Sequence, residues 1–546
     1  MYKKINILSF LLLSLLIVTT VTVQSLLQHW SGDWDLDFWY IYNASIMSSG
    51  IQQEWYDHPA TTVLSLYSIF YKIYSLVDHS FIHKINEIMD ANDPNIALQK
   101  LFFVTRIFDS INTILIVFFT FKISKILSSK DLYAYFLTLT VVVSATFFQN
   151  LSVLNSEDWA VLFFLISFYF FLKFFIYNNI TFLLLSGLFF FFSFFTKISI
   201  LFLFIFIILL IPIFCEMYLI KSNSSIQKWI EKNFTLLFGS YLVFLLLYFI
   251  IHVFVLDKLD PFSRNAGLDV TIILTLNLIY MVFFLIISKF KYIKFKTYFS
   301  IFILFLLGFS TGIIIFLAID ILNIAKLNPK ILVHLVKPFY KMLNFAYAPS
   351  GMESNMLGPA LLGTSIDMFN EALLVLSKIL SNFRFDNFLF IGLCLIFTMS
   401  VFKDLSNKNT YYFLFKIIIF TSLLFNTLLW NFRWWIEYNI LVHILYVILL
   451  SVCFKNIPNN IIKFFCIIST IYILIFLPIK NYTYYSKLLS PRPSVLVNLC
   501  NNFGSHKPPD NYFIFERYSK QFNSDTFSKI CNLPKSRFRG DKYVLE

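Results

Sequence analysis

Charged residues are scarce in this chain. Aspartate, glutamate, lysine and arginine together make up only 13% of its 546 residues. A soluble domain of this length needs far more charge to cover its surface, so the composition excludes an ordinary water-soluble protein. Glycine is also rare, with 13 residues scattered along the chain and no glycine-rich phosphate loop among them. This absence argues against a nucleotide-binding domain, and therefore against an ATP-driven pump.

Apolar residues take the place of the missing charge. Hydrophobic residues make up 58% of the chain, 70 residues are phenylalanine, and runs of 18 or more apolar residues recur. A hydrocarbon core about 30 Å thick requires helices of roughly 20 apolar residues. We therefore predict an all-α polytopic membrane protein with about 13 transmembrane helices, at 5–27, 103–127, 132–153, 159–177, 180–196, 198–218, 234–255, 270–288, 298–319, 386–402, 410–429, 438–454 and 461–479.

The lysines predict the orientation of these spans. They cluster in every second connection, as expected for cytoplasmic loops under the positive-inside rule. The formal net charge of +13 therefore indicates membrane topology and not nucleic-acid binding. This pattern predicts a cytoplasmic N-terminus and a C-terminus on the outer side. Every arginine falls on the outer side of this topology, where its fork of donors suits bidentate binding of phosphate.

Three predicted outer segments are longer than ordinary loops. The first, 28–102, contains two helix-like stretches at about 38–50 and 59–77, which we expect to be amphipathic and to lie on the membrane. The second, 320–385, mixes apolar and basic residues and is predicted to be a lid or an acceptor-facing loop. The third is the tail from residue 480 onward.

The predicted domains are a transmembrane domain at 1–479 and a small outer region at 480–546. The chain has six cysteines, and no Cys/His pair has the spacing of a metal site. Cys500 and Cys531 both lie in the outer region. An oxidising compartment would permit a disulfide between them, and the sequence leaves open whether it forms.

Three carboxylates stand within five residues directly after the first predicted span: Asp33, Asp35 and Asp37. A carboxylate at a bilayer surface is costly to desolvate, which makes it a candidate functional residue. Asp57 and His58 follow, just before Pro59, and Glu157 and Asp158 open the fourth span. In the predicted topology all of these residues gather at the outer membrane face.

This series resembles the GT-C superfamily of polyprenyl-phosphate-sugar-dependent glycosyltransferases, with lipid A aminoarabinose transferases and protein O-mannosyltransferases as the nearest parallels. The resemblance covers roughly the first 220 residues and depends on the order of the motifs. They are the acidic motif Asp33-Trp34-Asp35-Leu36-Asp37, Asp57-His58-Pro59, Arg106, Glu157-Asp158 and Thr196-Lys197, with Arg433-Trp434-Trp435 farther on. These families often show Asp-Glu where this chain has Asp-Leu-Asp, which leaves either Asp35 or Asp37 as the expected base.

The resemblance implies transfer of a sugar from a polyprenyl phosphate to a glycan, lipid A or core saccharide, or protein acceptor, with inversion at the anomeric carbon. A sugar hydroxyl needs a carboxylate within hydrogen-bond reach as general base, and Asp35 and Asp37 are the catalytic candidates. The leaving phosphate develops charge that a cationic side chain would stabilise. The residues expected to bind the donor phosphate or sugar are Asp57, His58, Arg106, Glu157, Asp158, Lys197 and Arg433.

No cofactor is required by this chemistry. A divalent cation held by Asp35, Asp37, Glu157 and Asp158 remains an alternative, because carboxylate oxygens are suitable ligands. Each site residue also has a structural alternative. The acids at 157 and 158 would stabilise the start of a helix, Arg106 and Lys197 would extend to lipid headgroups, and Arg433 would join an aromatic belt.

Two other classes of function fit the composition. A glycan polymerase or ligase would place its key residues in a late outer loop, and 320–385 contains His334 and Arg384. A lipid or solute transporter would show internal repeats and ionisable residues at the membrane midplane, whereas these charges gather at one face. The richness in Phe, Ile, Lys and Asn suggests an AT-rich genome, so we expect a bacterial inner membrane protein.

Overall fold

The structure, a computed structural model, describes residues 2–28, 37–54, 60–142, 147, 153–197, 200–219, 225–258, 266–290, 295–332, 387–407, 409–431, 439–457, 459–471, 538–539 and 542–543. These residues are almost entirely helical. Short strands β1 (Phe538–Arg539) and β2 (Lys542–Tyr543) pair antiparallel near the C-terminus. The all-α class predicted from composition is confirmed for this part of the chain, apart from these two short strands.

The first outer segment and the helices around it supply α1 (Tyr2–Leu27), α2 (Trp39–Ser48), α3 (Thr61–Val77), α4 (Ile85–Asp90), α5 (Pro94–Ser128) and α6 (Asp131–Val142). The remaining helices are α7 (Ser156–Tyr177), α8 (Ile180–Thr196), α9 (Leu201–Phe214), α10 (Ser225–Lys258), α11 (Ala266–Phe290), α12 (Phe295–Ile321), α13 (Asn387–Ser406), α14 (Thr410–Asn431), α15 (Asn439–Asn456) and α16 (Asn459–Ile471). A single π-helical turn, Cys215–Leu219, extends α9.

Five of the described helices are long and apolar enough to cross a membrane. They are Pro94–Ser128, Ser156–Tyr177, Gln227–Ile250, Thr271–Lys289 and Phe295–Ile321. Each predicted span coincides, at least in part, with an observed helix. Helices of this length and composition are those of an integral membrane protein.

The division of 180–218 into two helices is confirmed. Helix α8 ends at Thr196, and Lys197 follows it in an extended conformation with φ −150° and ψ 118°. Asn179 begins α8 by accepting a hydrogen bond from the Thr181 N–H at 2.9 Å, as a side-chain N-cap does. Lys197 therefore stands at a helix end and not within a span.

Helix α2 differs from its predicted character. Both helix-like stretches of the first outer segment form, as α2 and α3, but all ten residues of α2 are buried. The expectation that this stretch is amphipathic is therefore wrong for α2, and its position on the membrane stays a prediction. Its aromatic and aliphatic side chains all find partners in the core, and Gly50 ends this region with a φ of 77° that suits glycine.

The second outer segment begins on top of the first. The Lys72 ammonium of α3 donates to the Ile324 carbonyl at 2.6 Å, just after the end of α12. The Asn328 side-chain amide donates to the Gln53 carbonyl at 3.0 Å. These bonds join residues that are 252 and 275 positions apart in the chain. Most of the predicted loop 320–385, including His334 and Arg384, lies outside the described residues.

Glycines let α8 and α12 approach closely. A Cβ at Gly308 of α12 would lie 2.1 Å from the Leu184 carbonyl oxygen, and one at Gly187 of α8 would lie 2.0 Å from the Phe305 carbonyl oxygen. Small residues at such crossings permit backbone contact between membrane helices. Helix α8 also packs extensively on α7. Its contacts with α7 and α12 fix the position of its end, where Lys197 follows.

Candidate functional site

The first turn of α7 is the centre of the candidate site. Asn155 begins the helix, with its side-chain oxygen accepting the Asp158 N–H at 3.0 Å. Glu157 and Asp158 occupy the first turn, where negative charge is favoured by the helix dipole. Both side chains are nevertheless buried, with exposed fractions of 6% and 3%. An ordinary capping pair would face solvent, so helix capping alone does not account for them.

Glu157 forms a buried ion pair with Lys197. The Lys197 ammonium contacts Glu157 Oε1, and the Ser156 hydroxyl donates to Oε2 of the same carboxylate at 3.4 Å. Lys197 is 6% exposed. The predicted alternative, in which Lys197 extends to lipid headgroups, is therefore wrong in this structure. The pair connects the start of α7 to the end of α8.

Arg106 and Asp109 meet on α5, one helical turn apart. The Arg106 guanidinium Nη1 lies 4.0 Å from Asp109 Oδ2, and Arg106 is only 1% exposed. Burial of the whole side chain again contradicts the alternative of extension to lipid headgroups. Asp158 of α7 interacts electrostatically with both residues, attracted by Arg106 and repelled by Asp109. This electrostatic interaction places the predicted Arg106 and Asp158 in one site.

Asp37 reaches the same region from the acidic motif. Its Oδ1 accepts the Leu154 backbone N–H at 2.7 Å, three residues before Glu157, and the side chain is 2% exposed. A carboxylate that accepts a backbone hydrogen bond holds the chain that leads into α7. Asp37 is therefore hydrogen-bonded to the backbone segment that leads into α7.

We call these six buried residues the α7 cluster: Asp37, Arg106, Asp109, Glu157, Asp158 and Lys197. The cluster contains four carboxylates and two cationic side chains. Asp158 Oδ1 is buried and makes no hydrogen bond with any residue that the structure describes. Buried carboxylates in excess of their cationic partners are costly to the fold, which is typical of a site kept for function.

The remaining predicted site residues lie outside the part of the chain that the structure describes. They are Asp33, Asp35, Asp57, His58 and Arg433. Among the described residues no group of three or more His, Cys, Asp or Glu side chains is arranged to hold a metal ion. The alternative of a divalent cation includes Asp35, so it stays a prediction. Cys500 and Cys531 also lie outside the described residues, whereas Cys215, Cys453 and Cys466 are buried and form no disulfide among the described residues.

Three residues that no sequence motif predicted also belong to this region: Asp109, Tyr67 and Trp159. Asp109 Oδ1 accepts the Trp159 indole N–H at 2.8 Å and the Tyr67 hydroxyl at 3.2 Å. Burial, and secondarily the charge of Asp109, raises the pKa of the Tyr67 hydroxyl well above its ordinary value, so Tyr67 donates as a neutral phenol. The available signal was an acidic residue inside an apolar span, three positions after Arg106.

A second buried ionic group, which we call the Lys416 cluster, consists of Ser400, Asp404 and Lys416. The Lys416 ammonium contacts Asp404 Oδ2 and the Ser400 hydroxyl, and donates to the Ser400 carbonyl at 3.3 Å. Ser400 in turn donates to the Cys453 carbonyl at 3.2 Å. These contacts join α13, α14 and α15 around one paired charge.

The two clusters lie at opposite ends of α9. Lys197 precedes this helix and Glu216 follows it, and 14 helical residues span about 21 Å. Glu216 accepts hydrogen bonds from Tyr298 at 2.6 Å and from Tyr411 at 3.1 Å. Tyr411 stands in the first turn of α14, five residues before Lys416. The Lys416 cluster is therefore at the Glu216 end of the core, far from the α7 cluster.

No family model, no curated protein and no solved structure matches the chain.

Proposed function

We propose that the protein is a membrane glycosyltransferase of the GT-C type. In this proposal it transfers one sugar from a polyprenyl phosphate to a glycan, lipid or protein acceptor at the outer face of the membrane. The observation that carries the proposal is the α7 cluster. Asp37, Arg106, Glu157, Asp158 and Lys197 were each selected from sequence motifs, and they meet around one helix start although they span residues 37 to 197.

The reaction assigns a chemical task to each kind of side chain in the cluster. A carboxylate of the acidic motif takes the proton from the acceptor hydroxyl as its oxygen forms a bond to the anomeric carbon. The bond from that carbon to the phosphate oxygen breaks, and polyprenyl phosphate leaves with the bonding electrons. Arg106 stabilises the charge on the departing phosphate. Attack and departure on opposite sides invert the anomeric centre.

The structure's hydrogen bonds favour Asp35 over Asp37 as the base in this proposal. Asp37 Oδ1 already accepts the Leu154 N–H, so its carboxylate is oriented by the backbone. Asp35 precedes Asp37 by two residues in the acidic motif. Lys197 is neutralised by Glu157, which leaves Arg106 as the better candidate for the phosphate.

The proposed topology follows the lysine distribution. Thirteen crossings place the N-terminus in the cytoplasm and the C-terminus in the periplasm of a bacterial inner membrane. The first turn of α7 and the end of α8 then face the periplasm, together with the acidic motif. A lipid-linked donor suits this side, because no nucleotide sugar is needed there.

A transporter is the second candidate, because one observation favours it. Arg106 and Asp109 are buried within α5, one of the helices long enough to cross a membrane. Ionisable residues inside spanning helices commonly mark ion or substrate pathways. Against this candidate, Glu157, Asp158 and Lys197 stand at helix ends, and α7 and α8 are unbroken.

The test is sugar transfer from a radiolabelled polyprenyl-phosphate-sugar extract in membranes that contain the protein. Wild type should label an endogenous acceptor, whereas Asp35→Asn and Asp158→Asn at equal expression should lose most of the label. Asp131→Asn is a matched control, because Asp131 lies in an exposed ion pair with Lys125. Full transfer by both site variants would remove the proposed mechanism. Absence of transfer by wild type across glycan, lipid and protein acceptors would favour the transporter.

A further inference from the structure

Asp109 connects three helices at a single carboxylate oxygen. Its Oδ1 accepts the indole N–H of Trp159, in α7, and the hydroxyl of Tyr67, in α3, while Asp109 itself belongs to α5. The carboxylate is 3% exposed. A buried carboxylate inside an apolar span is costly, so these two donors and Arg106 are what make its presence tolerable.

Aromatic packing fixes the Trp159 ring in the same place. The ring stacks on Phe108, with centroids 5.4 Å apart and an interplanar angle of 29°. Tyr67 meets it edge-on at 6.0 Å. Phe108 and Asp109 are neighbours on α5, so the indole is held by its face and by its N–H at one point. Few orientations of the first turn of α7 satisfy both contacts.

The start of α7 is thus held from two sides by carboxylates. Asp37 accepts the Leu154 N–H before the helix, and Asp109 accepts the Trp159 indole N–H within its first turn. Asp158 lies between these two anchors, next to Trp159. Its Oδ1 makes no hydrogen bond with the described residues. Asp37 and Asp109 each accept a hydrogen bond, whereas Oδ1 of Asp158 accepts none from the described residues.

We infer that Asp109 is a positioning residue of the proposed glycosyl transfer, which fixes Asp158 in the site by accepting the Trp159 indole N–H. This inference rests on the proposed function. Asp109 takes no part in bond making, and its effect on the reaction passes through the first turn of α7. A displacement of a reacting or binding group by about 1 Å can cost on the order of 10²-fold in rate.

Two substitutions interrupt the same bond from opposite sides. Asp109→Ala removes the acceptor, and Trp159→Phe removes the donor but keeps an aromatic ring against Phe108. Each should lower kcat by about tenfold to a hundredfold, with a smaller change in KM. The double variant should be no worse than Asp109→Ala alone, because Asp109→Ala already removes the acceptor of the Trp159 N–H, together with the contacts to Tyr67 and Arg106. Asp109→Asn keeps an oxygen acceptor and should recover most of the lost rate.

The experiment uses the full chain, purified in detergent, with transfer measured per folded molecule. Asp404→Ala is the matched control, since it removes a buried carboxylate in the distant Lys416 cluster and should lower the unfolding temperature without lowering kcat. Wild-type kcat in Asp109→Ala, or multiplying losses in the double variant, would overturn the inference while the proposed function stands. Absence of transfer by wild type would overturn the proposed function and the inference with it.

Discussion

The α7 cluster and the Lys416 cluster bury charge in different ways. In the Lys416 cluster one ammonium meets one carboxylate, and a hydroxyl and a carbonyl complete its hydrogen bonds. In the α7 cluster four carboxylates meet two cations, and an oxygen of Asp158 is buried without a hydrogen-bond partner among the described residues. The first arrangement satisfies the fold. In the proposed function, the second arrangement leaves Asp158 available to the substrate.

The difference distinguishes the proposed functional cluster from a cluster of paired structural charges. Both clusters are buried in an apolar core, so burial alone does not distinguish them. The ratio of carboxylates to cations does distinguish them. A paired charge needs no further partner, whereas a buried carboxylate without a cation destabilises the fold. The comparison therefore predicts opposite responses when single charges are removed at the two ends of the core.

The largest effect is expected in the Lys416 cluster. Lys416→Met leaves Asp404 buried without its cation, which should lower the free energy of unfolding by about 3–5 kcal/mol. The double variant Lys416→Met, Asp404→Leu removes both charges and should recover at least half of that loss. Thermal unfolding of the purified protein in one detergent measures all three. Equal losses in the single and double variants would show that the pair is not what holds α13 to α14.

A smaller loss is expected for Glu157→Gln. Lys197 then keeps a neutral partner in place of a carboxylate, and the difference between a charged and a neutral hydrogen bond is about 2 kcal/mol. Sugar transfer should fall as well, since the pair connects α7 to α8 at the site. The matched control is Asp131→Asn in the exposed pair with Lys125, where both side chains are nearly half exposed and the expected loss is under about 1 kcal/mol. A loss no larger than the control's would place Glu157 with surface ion pairs.

Removing the charge of Asp158 should raise the free energy of unfolding, whereas the two preceding substitutions should lower it. Asp158→Asn relieves repulsion by Asp109 and Glu157, so we expect the free energy of unfolding to rise by about 1 kcal/mol while sugar transfer is lost. Asp404→Asn serves as the control, because the same change in the balanced cluster should destabilise the protein. Thermal unfolding and transfer are measured on the same preparations. Destabilisation by both substitutions would remove the distinction between the two clusters.

The sequence predicted much of the α7 cluster because its motifs are local and polar in an apolar chain. Glu157, Asp158 and Lys197 stand at helix ends, where a change in hydropathy is visible, and the end of α8 at Thr196 was predicted correctly. Asp109 was missed because a lone acid inside a span has no motif. Its importance comes from Tyr67 and Trp159, which are 42 and 50 residues away in the chain.

The full burial of α2 was beyond prediction for a related reason. Its sequence is apolar enough for a membrane surface or for a core, and only the packing of α3 and α5 around it decides between them. The partners of Lys197 were equally invisible, since snorkelling and ion pairing use the same side chain. Asp35, Asp57, His58 and Arg433 lie outside the described residues, so their roles remain predictions.

The smallest expected effect lies outside both clusters, at His83, and it defines the background for any acid titration of them. Burial lowers the pKa of His83; the charge of Glu87 opposes this shift, and the charges of Lys84 and Lys72 add smaller lowering effects. Since the unfolded chain then binds a proton at higher pH than the folded protein, stability falls as pH decreases below the ordinary histidine pKa of about 6.5.

His83→Gln should reduce this loss between pH 7 and pH 5, because the substituted side chain cannot take up the proton. Glutamine can still hydrogen-bond Ser48, whose hydroxyl lies 3.1 Å from His83 Nδ1. His79→Gln, at an exposed position four residues earlier in the chain, is the control. Unfolding temperatures measured across this pH range test the effect. If His83→Gln and wild type lose stability in parallel, protonation of His83 is not the source of the acid sensitivity.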